Sequence, residues 1–243
     1  MSGTVPVPAA IILDVDGTMY AQRPVQMAML LRLAGFAARR PVEGARCVSA
    51  LRAYRHAQET LRSSPDDGEH AGRMQYQLAA ARSRTNVDTV RGHVARWMEQ
   101  EPLGFVARAG HPGLREFLLA SRARGIALGV FSDYPAEEKL RALGVRELVD
   151  VVRSAHDSDI GCFKPDPRGL LVVAAELGVR PAECVYVGDR AEVDGVAAGR
   201  AGMRGFIIDS GKRVSPGPWE RFAGFSALTT MLLGAPSHAM TGP

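Results

Sequence analysis

Ala10-Ile11-Ile12-Leu13-Asp14-Val15-Asp16-Gly17-Thr18 is the stretch on which the fold turns. Four apolar residues run without interruption and end on an acidic pair split by one valine. An unbroken apolar run fits a strand buried on both faces of a parallel sheet; a half-solvated strand would alternate. Residues i and i+2 project to the same side of extended backbone, so Asp14 and Asp16 converge just past the strand. Two carboxylates that close are unfavourable unless one holds a proton or a cation lies between them. Gly17 permits the sharp turn that must follow. A calcium loop of the EF-hand type does not fit, because its glycine comes sixth and here it comes fourth.

Working outward, similar apolar runs recur at 126–131, 148–152, 184–187 and 205–208. Helical patterns lie between them at 113–124, 136–143, 167–177 and 191–201, and Leu114, Phe117, Leu118 and Ser121 share one face of the first. Gly125, Gly144, Gly178 and Gly202 follow these segments, where a left-handed residue ends a helix. Strands alternating with single helices predict an α/β, doubly wound, Rossmann-like parallel sheet. One interval breaks the rhythm: more than 100 residues separate the first strand from the second. The excess reads as four helices, 25–38, 42–61, 72–83 and 87–99, with a loop at 63–68.

The 243 residues are 46% hydrophobic and 23% charged, ordinary for a soluble globular chain. No apolar run reaches the roughly 20 residues that cross a bilayer, and residues 1–10 do not resemble a signal peptide. Membrane partners are therefore not expected. Cys47, Cys162 and Cys184 form neither a metal nor a disulfide pattern, which fits a cytoplasmic protein. The net charge of +4 is unevenly spread: residues 20–100 hold 13 arginines and no lysine against 7 acidic residues. An anionic ligand suits so basic a segment. Nucleic acid is not an expected partner, since no basic run interleaves with aromatics. Met27 and Met29 read as core residues.

Ligands of open α/β sheets bind beyond the carboxyl ends of the strands, so the other strand ends matter. The second strand runs into Ser132, whose hydroxyl can donate to a phosphoryl oxygen. Lys164 opens Lys-Pro-Asp-Pro before a helix and is one of only three lysines beside 27 arginines. A compact point charge in so arginine-rich a chain suggests a defined task. The fourth strand ends in Gly188-Asp189, with Asp194 five residues on, and Asp189 can offer a hard oxygen to Mg²⁺. Singly, each is an ordinary turn or helix-start residue.

In this order and at these strand ends, Asp14–Thr18, Ser132, Lys164 and Gly188–Asp194 resemble the four motifs of the haloacid dehalogenase superfamily. The insertion resembles the helical cap of its C1 members. The resemblance covers about residues 10–210 and implies a catalytic core of 1–19 and 105–234, a helical cap domain of 20–104 and a flexible tail of 235–243. It implies a Mg²⁺-dependent phosphatase acting on a small phosphorylated metabolite. Asp14 would be the nucleophile that carries an aspartyl-phosphate, and Asp16 the acid–base residue. Thr18, Ser132 and Lys164 would bind phosphate. The Asp14 carboxylate, the Asp16 carbonyl and Asp189 would hold the metal, with Gly17, Gly188 and Asp194 in support. Asp133 stands where the family more often carries Asn. A phosphomutase would keep the same residues, whereas a dehalogenase has no need of an acid at Asp16. A receiver-type signalling module places its phosphorylated Asp on the third strand and lacks a cap. Arg23, five residues past Thr18, is a candidate contact to an anionic leaving group.

Overall fold

The computed structural model describes residues 7–63, 70–209 and 216–234. Strand β1 (Ala10–Leu13) is followed by α1 (Gln22–Arg39), α2 (Pro41–Ser63), α3 (Ala71–Ser83) and α4 (Val87–Val94). A π-helical segment, Ala95–Gln100, then leads to α5 (Leu103–Ala109) and α6 (Leu114–Arg122). Next come β2 (Ala127–Ser132), α7 (Glu137–Ala142), β3 (Val151–Ser154), α8 (Arg168–Glu176) and β4 (Cys184–Gly188). The chain closes with α9 (Val196–Arg200), β5 (Arg204–Ile208), β6 (Trp219–Phe222) and α10 (Phe225–Leu233).

The six strands form one sheet in the order β3-β2-β1-β4-β5-β6, and every pairing is parallel. Strand β1 thus sits between β2 and β4, where the winding reverses, and Leu13 is level with both Val130 and Val187. All four β1 residues are buried, as the unbroken apolar run requires. Their alternation divides them between two layers. Ile11 and Leu13 join Phe117, Leu118 and Phe225 on one face, while Ala10 and Ile12 join Leu170, Val173 and Ala197 on the other. Filling both faces at the level of the site holds the strand ends at fixed spacing.

The segment between β1 and β2 is helical, as its pattern predicts, and carries its own small cluster of Ala50, Ala53, Tyr54, Ala79, Ala80, Val90 and Val94. It leaves and rejoins the sheet at one place. Ala21 donates its backbone N–H to Ala109 at 2.9 Å, His111 donates to Met19 at 2.9 Å, and Tyr20 bridges Gly110. Entry and exit therefore lie side by side as a short two-stranded ribbon.

Several expectations shift on inspection. The third strand begins at Val151, because Arg146–Leu148 form a 3-10 turn and the Asp150 carboxylate accepts from the Leu128 N–H at 2.8 Å. The helices expected at 87–99 and 191–201 each contain a π-helical turn, at Ala95–Gln100 and Ala191–Gly195. Strand β6 and helices α5 and α10 add to the expected elements. Gly125, Gly144, Gly178 and Gly202 all have positive φ, between 68° and 72°. Met27 is 59% exposed, against the expectation of a core residue, whereas Met29 packs on the core beneath. Most of the loop at 63–68 and the whole tail at 235–243 lie outside the described residues. Among the described residues no helix is long and apolar enough to cross a membrane.

Candidate active site

Three strand ends and one loop converge. Asp14 continues β1, its N–H donating to the Val187 carbonyl at 2.9 Å, so its side chain leaves the sheet at the β1–β4 junction. Ser132 closes β2, Asp189 follows β4, and Lys164 comes from the loop ahead of α8. All four are buried and line a single cleft of about 350 Å³. The expected residues are thereby brought together.

Lys164 is the hub. Its ammonium donates to Asp14 Oδ1 at 2.6 Å, to Asp194 Oδ1 at 2.8 Å and to the Tyr186 hydroxyl at 2.9 Å. Burial would lower its pKa, but Asp14 and Asp194 hold it well above the usual lysine value. Thr18, fully buried, donates to Asp14 Oδ2 at 3.1 Å and does not line the cleft. Thr18, expected from the motif as a phosphate contact, is thus placed as a clamp on Asp14. Both Asp14 oxygens are thus fixed.

Asp194 has little left to offer a metal. Its Oδ2 accepts the backbone N–H groups of Asp189 at 3.1 Å and Arg190 at 2.9 Å, and its Oδ1 accepts Lys164 and, at 3.2 Å, Tyr186. A Cβ on Gly188 would lie 2.3 Å from Asp194 Cβ, so only glycine lets that carboxylate tuck under the strand end.

The donor set fits a hard divalent cation. Asp14, Asp189 and Asp194 each bring a carboxylate oxygen within 4.8 Å of the others; Asp14 and Asp189 would be the two ligands, while Asp194, its oxygens taken by four donors, adds negative charge. Lys164 alone does not balance three buried carboxylates. Burial pushes the Asp14 carboxyl up to about 8, against the pull of Lys164 and with further push from Asp194 and Asp189. Such an excess of negative charge on oxygen donors suits Mg²⁺. Gly17 adjoins the same spot: with φ 91°, it leaves room where a Cβ would come 2.5 Å from Asp189 Oδ2.

Asp16 is held differently. Lys139 of α7 donates to its Oδ1 at 2.6 Å and its Oδ2 at 2.7 Å, and the Tyr20 hydroxyl donates to Oδ1 at 2.5 Å. Burial works to raise this carboxyl, yet Lys139 and then Tyr20 outweigh it and hold the group below the usual carboxylate range.

The helical insertion closes the other side of the cleft and is tied to the sheet through Asp133. Asp133 Oδ1 accepts the Lys164 N–H at 3.1 Å; its Oδ2 accepts Arg62 of α2 at 2.5 Å and Gln58 at 3.3 Å. Arg62 donates as well to the Lys164 carbonyl at 2.8 Å. An aromatic stack of Tyr54, Tyr76, Tyr134 and His156 continues the seam. Gln22, Arg55, Trp97, Met98 and Glu99 are among the other residues of the insertion that line the cleft.

Arg23 is exposed and does not line the cleft; Arg55 and Arg62 do. Lys139, Tyr20, Tyr186 and Arg62 escaped notice in the sequence. Lys139 stands in Glu137-Glu138-Lys139, a charge run that reads as a solvated helix face. A sign was available in its rarity, the same that singled out Lys164.

Residues 8–202 match the haloacid dehalogenase-like hydrolases, and the chain belongs to that family. It is 36% identical over 105 residues to phosphatase MT3486 of Mycobacterium tuberculosis, which covers 41% of this chain and 46% of the relative. To the glyceraldehyde 3-phosphate phosphatase of Methanopyrus kandleri it is 39% identical over 106 residues, 42% of this chain and 44% of the relative. The match thus spans less than half the length of these relatives. A 2-haloacid dehalogenase from Pseudomonas syringae superposes with a TM-score of 0.66 at 19% identity, covering 93% of this chain and 98% of that one. At that identity the likeness is one of fold.

Proposed function

We propose that the chain is a Mg²⁺-dependent phosphatase of small phosphorylated metabolites, working through an aspartyl-phosphate on Asp14. The observation that carries this reading is the meeting of Asp14, Asp16, Ser132, Lys164 and Asp189 in one cleft. When bound between Asp14 and Asp189, with the Asp16 carbonyl as a further ligand, Mg²⁺ would neutralise phosphoryl charge and align the ester.

Asp14, pinned at both oxygens by Lys164 and Thr18, is presented to phosphorus with little freedom to turn away. It attacks, and the P–O bond to the leaving group breaks. Ser132 and the Lys164 ammonium hold the equatorial oxygens of the transferring group. The leaving oxygen takes a proton from Asp16, which draws it from the Lys139 ammonium across their contact, so that the pair is left one proton short with Asp16 a carboxylate. Asp16, which Lys139 and Tyr20 keep ionised, then takes a proton from the water that hydrolyses the acyl phosphate and returns it to Lys139, which restores the pair. Asp194 orients Lys164. The insertion serves as a cap of the C1 type that excludes water and meets the leaving group. Both curated relatives described above are named phosphatases, which supports this reading. Asp16 favours it over halide displacement, which requires no leaving-group proton.

Release of phosphate from p-nitrophenyl phosphate tests the proposal. Activity should depend on Mg²⁺, vanish in EDTA and fall by at least about 10³ in Asp14→Asn, where the covalent route is lost. A variant keeping a tenth of wild-type activity would remove Asp14 from that role.

A further inference from the structure

Helix α1 is apolar on more sides than the chain covers. It holds no acidic residue, and of its 18 residues only Val25 is fully buried. Its inner side is accounted for. Gln22, Val25 and Gln26 line the cleft, Met29 packs on the core, and Phe36 meets Trp97 with ring centroids 5.2 Å apart. Its outer side carries Met27, Leu30, Leu31, Ala34 and Ala38, all exposed. Met27 is 59%, Leu30 60% and Leu31 67% exposed, the last the most of any large apolar side chain among the described residues.

At 3.6 residues per turn these five lie within about 100° of arc, with no polar residue between them. That is as wide as the stripe a surface helix ordinarily turns to its own core. It exposes on the order of 400 Å² of apolar surface, the extent at which a patch on a soluble chain marks a contact. A single exposed leucine would need no such account.

Charge decides what covers it. The stripe has none from Met27 to Ala38. Arg32 and Arg39 stand on one flank; Arg32 already pairs with Glu101 at 2.6 Å, and Arg39 donates to the Gly35 carbonyl at 3.1 Å. The other flank, with Gln26, Leu33 and Ala37, is uncharged. A helix that lies on anionic lipid has a polar face rich in Lys and Arg, which this one lacks. The pattern suits its own copy instead. Two α1 helices laid antiparallel about a two-fold axis at Leu30 and Leu31 set Met27 of one against the partner's Ala34, a long side chain over a short one. Arg23 of each copy then lies about 22 Å from the other along the axis at 1.5 Å per residue. That exceeds the roughly 8–10 Å over which exposed charges act in physiological salt.

We infer that the chain pairs with a second copy through the outer face of α1, helix antiparallel to helix. The stripe is the apolar centre of that contact, about half of the roughly 800 Å² that each partner brings to a stable interface, and the flanking turns form its polar rim. Because the inner side of the same helix lines the cleft, pairing braces one wall of it in each copy.

Sedimentation velocity of the full chain tests the pairing. The wild-type protein should run at twice the mass of one chain. Leu31→Glu sets two carboxylates against each other at the axis; it should raise the dissociation constant at least about hundredfold and leave the far-UV circular dichroism unchanged. Disulfides test the register, since Cys47, Cys162 and Cys184 are buried and leave added cysteines to act alone. A mixture of Met27→Cys and Ala34→Cys chains should oxidise to a pair joining one of each, whereas Met27→Cys alone should stay unlinked. A monomeric wild-type protein, a dimer that Leu31→Glu leaves intact, or a Met27→Cys chain that links to its own kind would overturn the inference. Attachment of the monomer to phosphatidylserine vesicles would overturn it as well and assign the face to lipid.

Discussion

Lys139 and Asp16, 123 positions apart, meet through both carboxylate oxygens, at 2.6 and 2.7 Å. The pair is largely shielded from water, with 9% and 19% of the two side chains exposed. It holds in the ionised form the residue proposed above to handle the leaving-group proton.

Replacing Lys139 with Met should therefore move the pH profile. Lys139 holds the Asp16 carboxyl low. Without the ammonium the carboxyl rises, and the acidic limb of kcat, below which Asp16 cannot accept a proton from water, shifts to higher pH. An unmoved limb would show that Lys139 has no electrostatic hold on the rate.

Mg²⁺ should stabilise the fold apart from any turnover. Binding at ten times its dissociation constant contributes about 1.4 kcal/mol, which in a chain of this size raises Tm by about 3–6 °C. Asp189→Asn should abolish most of that rise, because the carboxylate beside Gly17 is one of the two offered to the ion. Calorimetry with and without EDTA reads the difference, and an equal Mg²⁺ response in the variant would move the ion elsewhere.

Arg62 joins the insertion to the core through Asp133 and the Lys164 carbonyl, with 8% of its side chain exposed. Its loss leaves a shielded carboxylate short of its ion-pair partner. Arg62→Ala should cost about 2–4 kcal/mol in urea unfolding. Arg62→Lys should recover little, since one ammonium cannot reach both acceptors as the fork does. Recovery in the lysine variant would mean that charge alone, not geometry, makes the joint.

His156 supplies a pH-dependent weakness. Burial drives its pKa down to about 4, against the pull of Asp133 and Asp157, and its buried Nε2 has no hydrogen-bond partner among the described residues. The folded protein binds its proton less readily than the unfolded chain, whose value is near 6.5. Stability from this group is therefore whole above pH 6.5 and is lost as pH falls toward 4, by about 1.4 kcal/mol per unit. His156→Phe should flatten stability across that window in denaturant titrations at successive pH values, and an unchanged slope would exclude His156 as the source.

The sheet and the site were legible where one physical cause acts alone. Buried parallel strands must be apolar throughout, so β1, β2, β4 and β5 showed themselves, and the chemistry stood at their ends. Strand β6, at the sheet edge with Glu220 and Arg221 exposed, carries no such mark. Lys139 and Arg62 became visible only in three dimensions, because a charged residue on a helix looks the same whether it faces water or a buried carboxylate. Arg23 shows the converse error: nearness in sequence to Thr18 did not bring it into the cleft, since α1 starts at Gln22 and carries its side chain outward. Asp133 stood out in the sequence only as a departure from the commoner Asn, with no sign of the joint it makes; its second oxygen is the one that Arg62 takes.

The paired linkers at Met19–Ala21 and Ala109–His111 carry a consequence for inheritance. Because the excursion begins and ends at adjacent points, its length and sequence can change without disturbing the register of a single strand. The groups proposed to break the ester and those proposed to choose it thus ride on separable stretches of chain, and selection can rewrite the second while leaving the first untouched. Tyr20 sits in that ribbon and also touches Asp16, so the seam between the two stretches runs through one phenol ring.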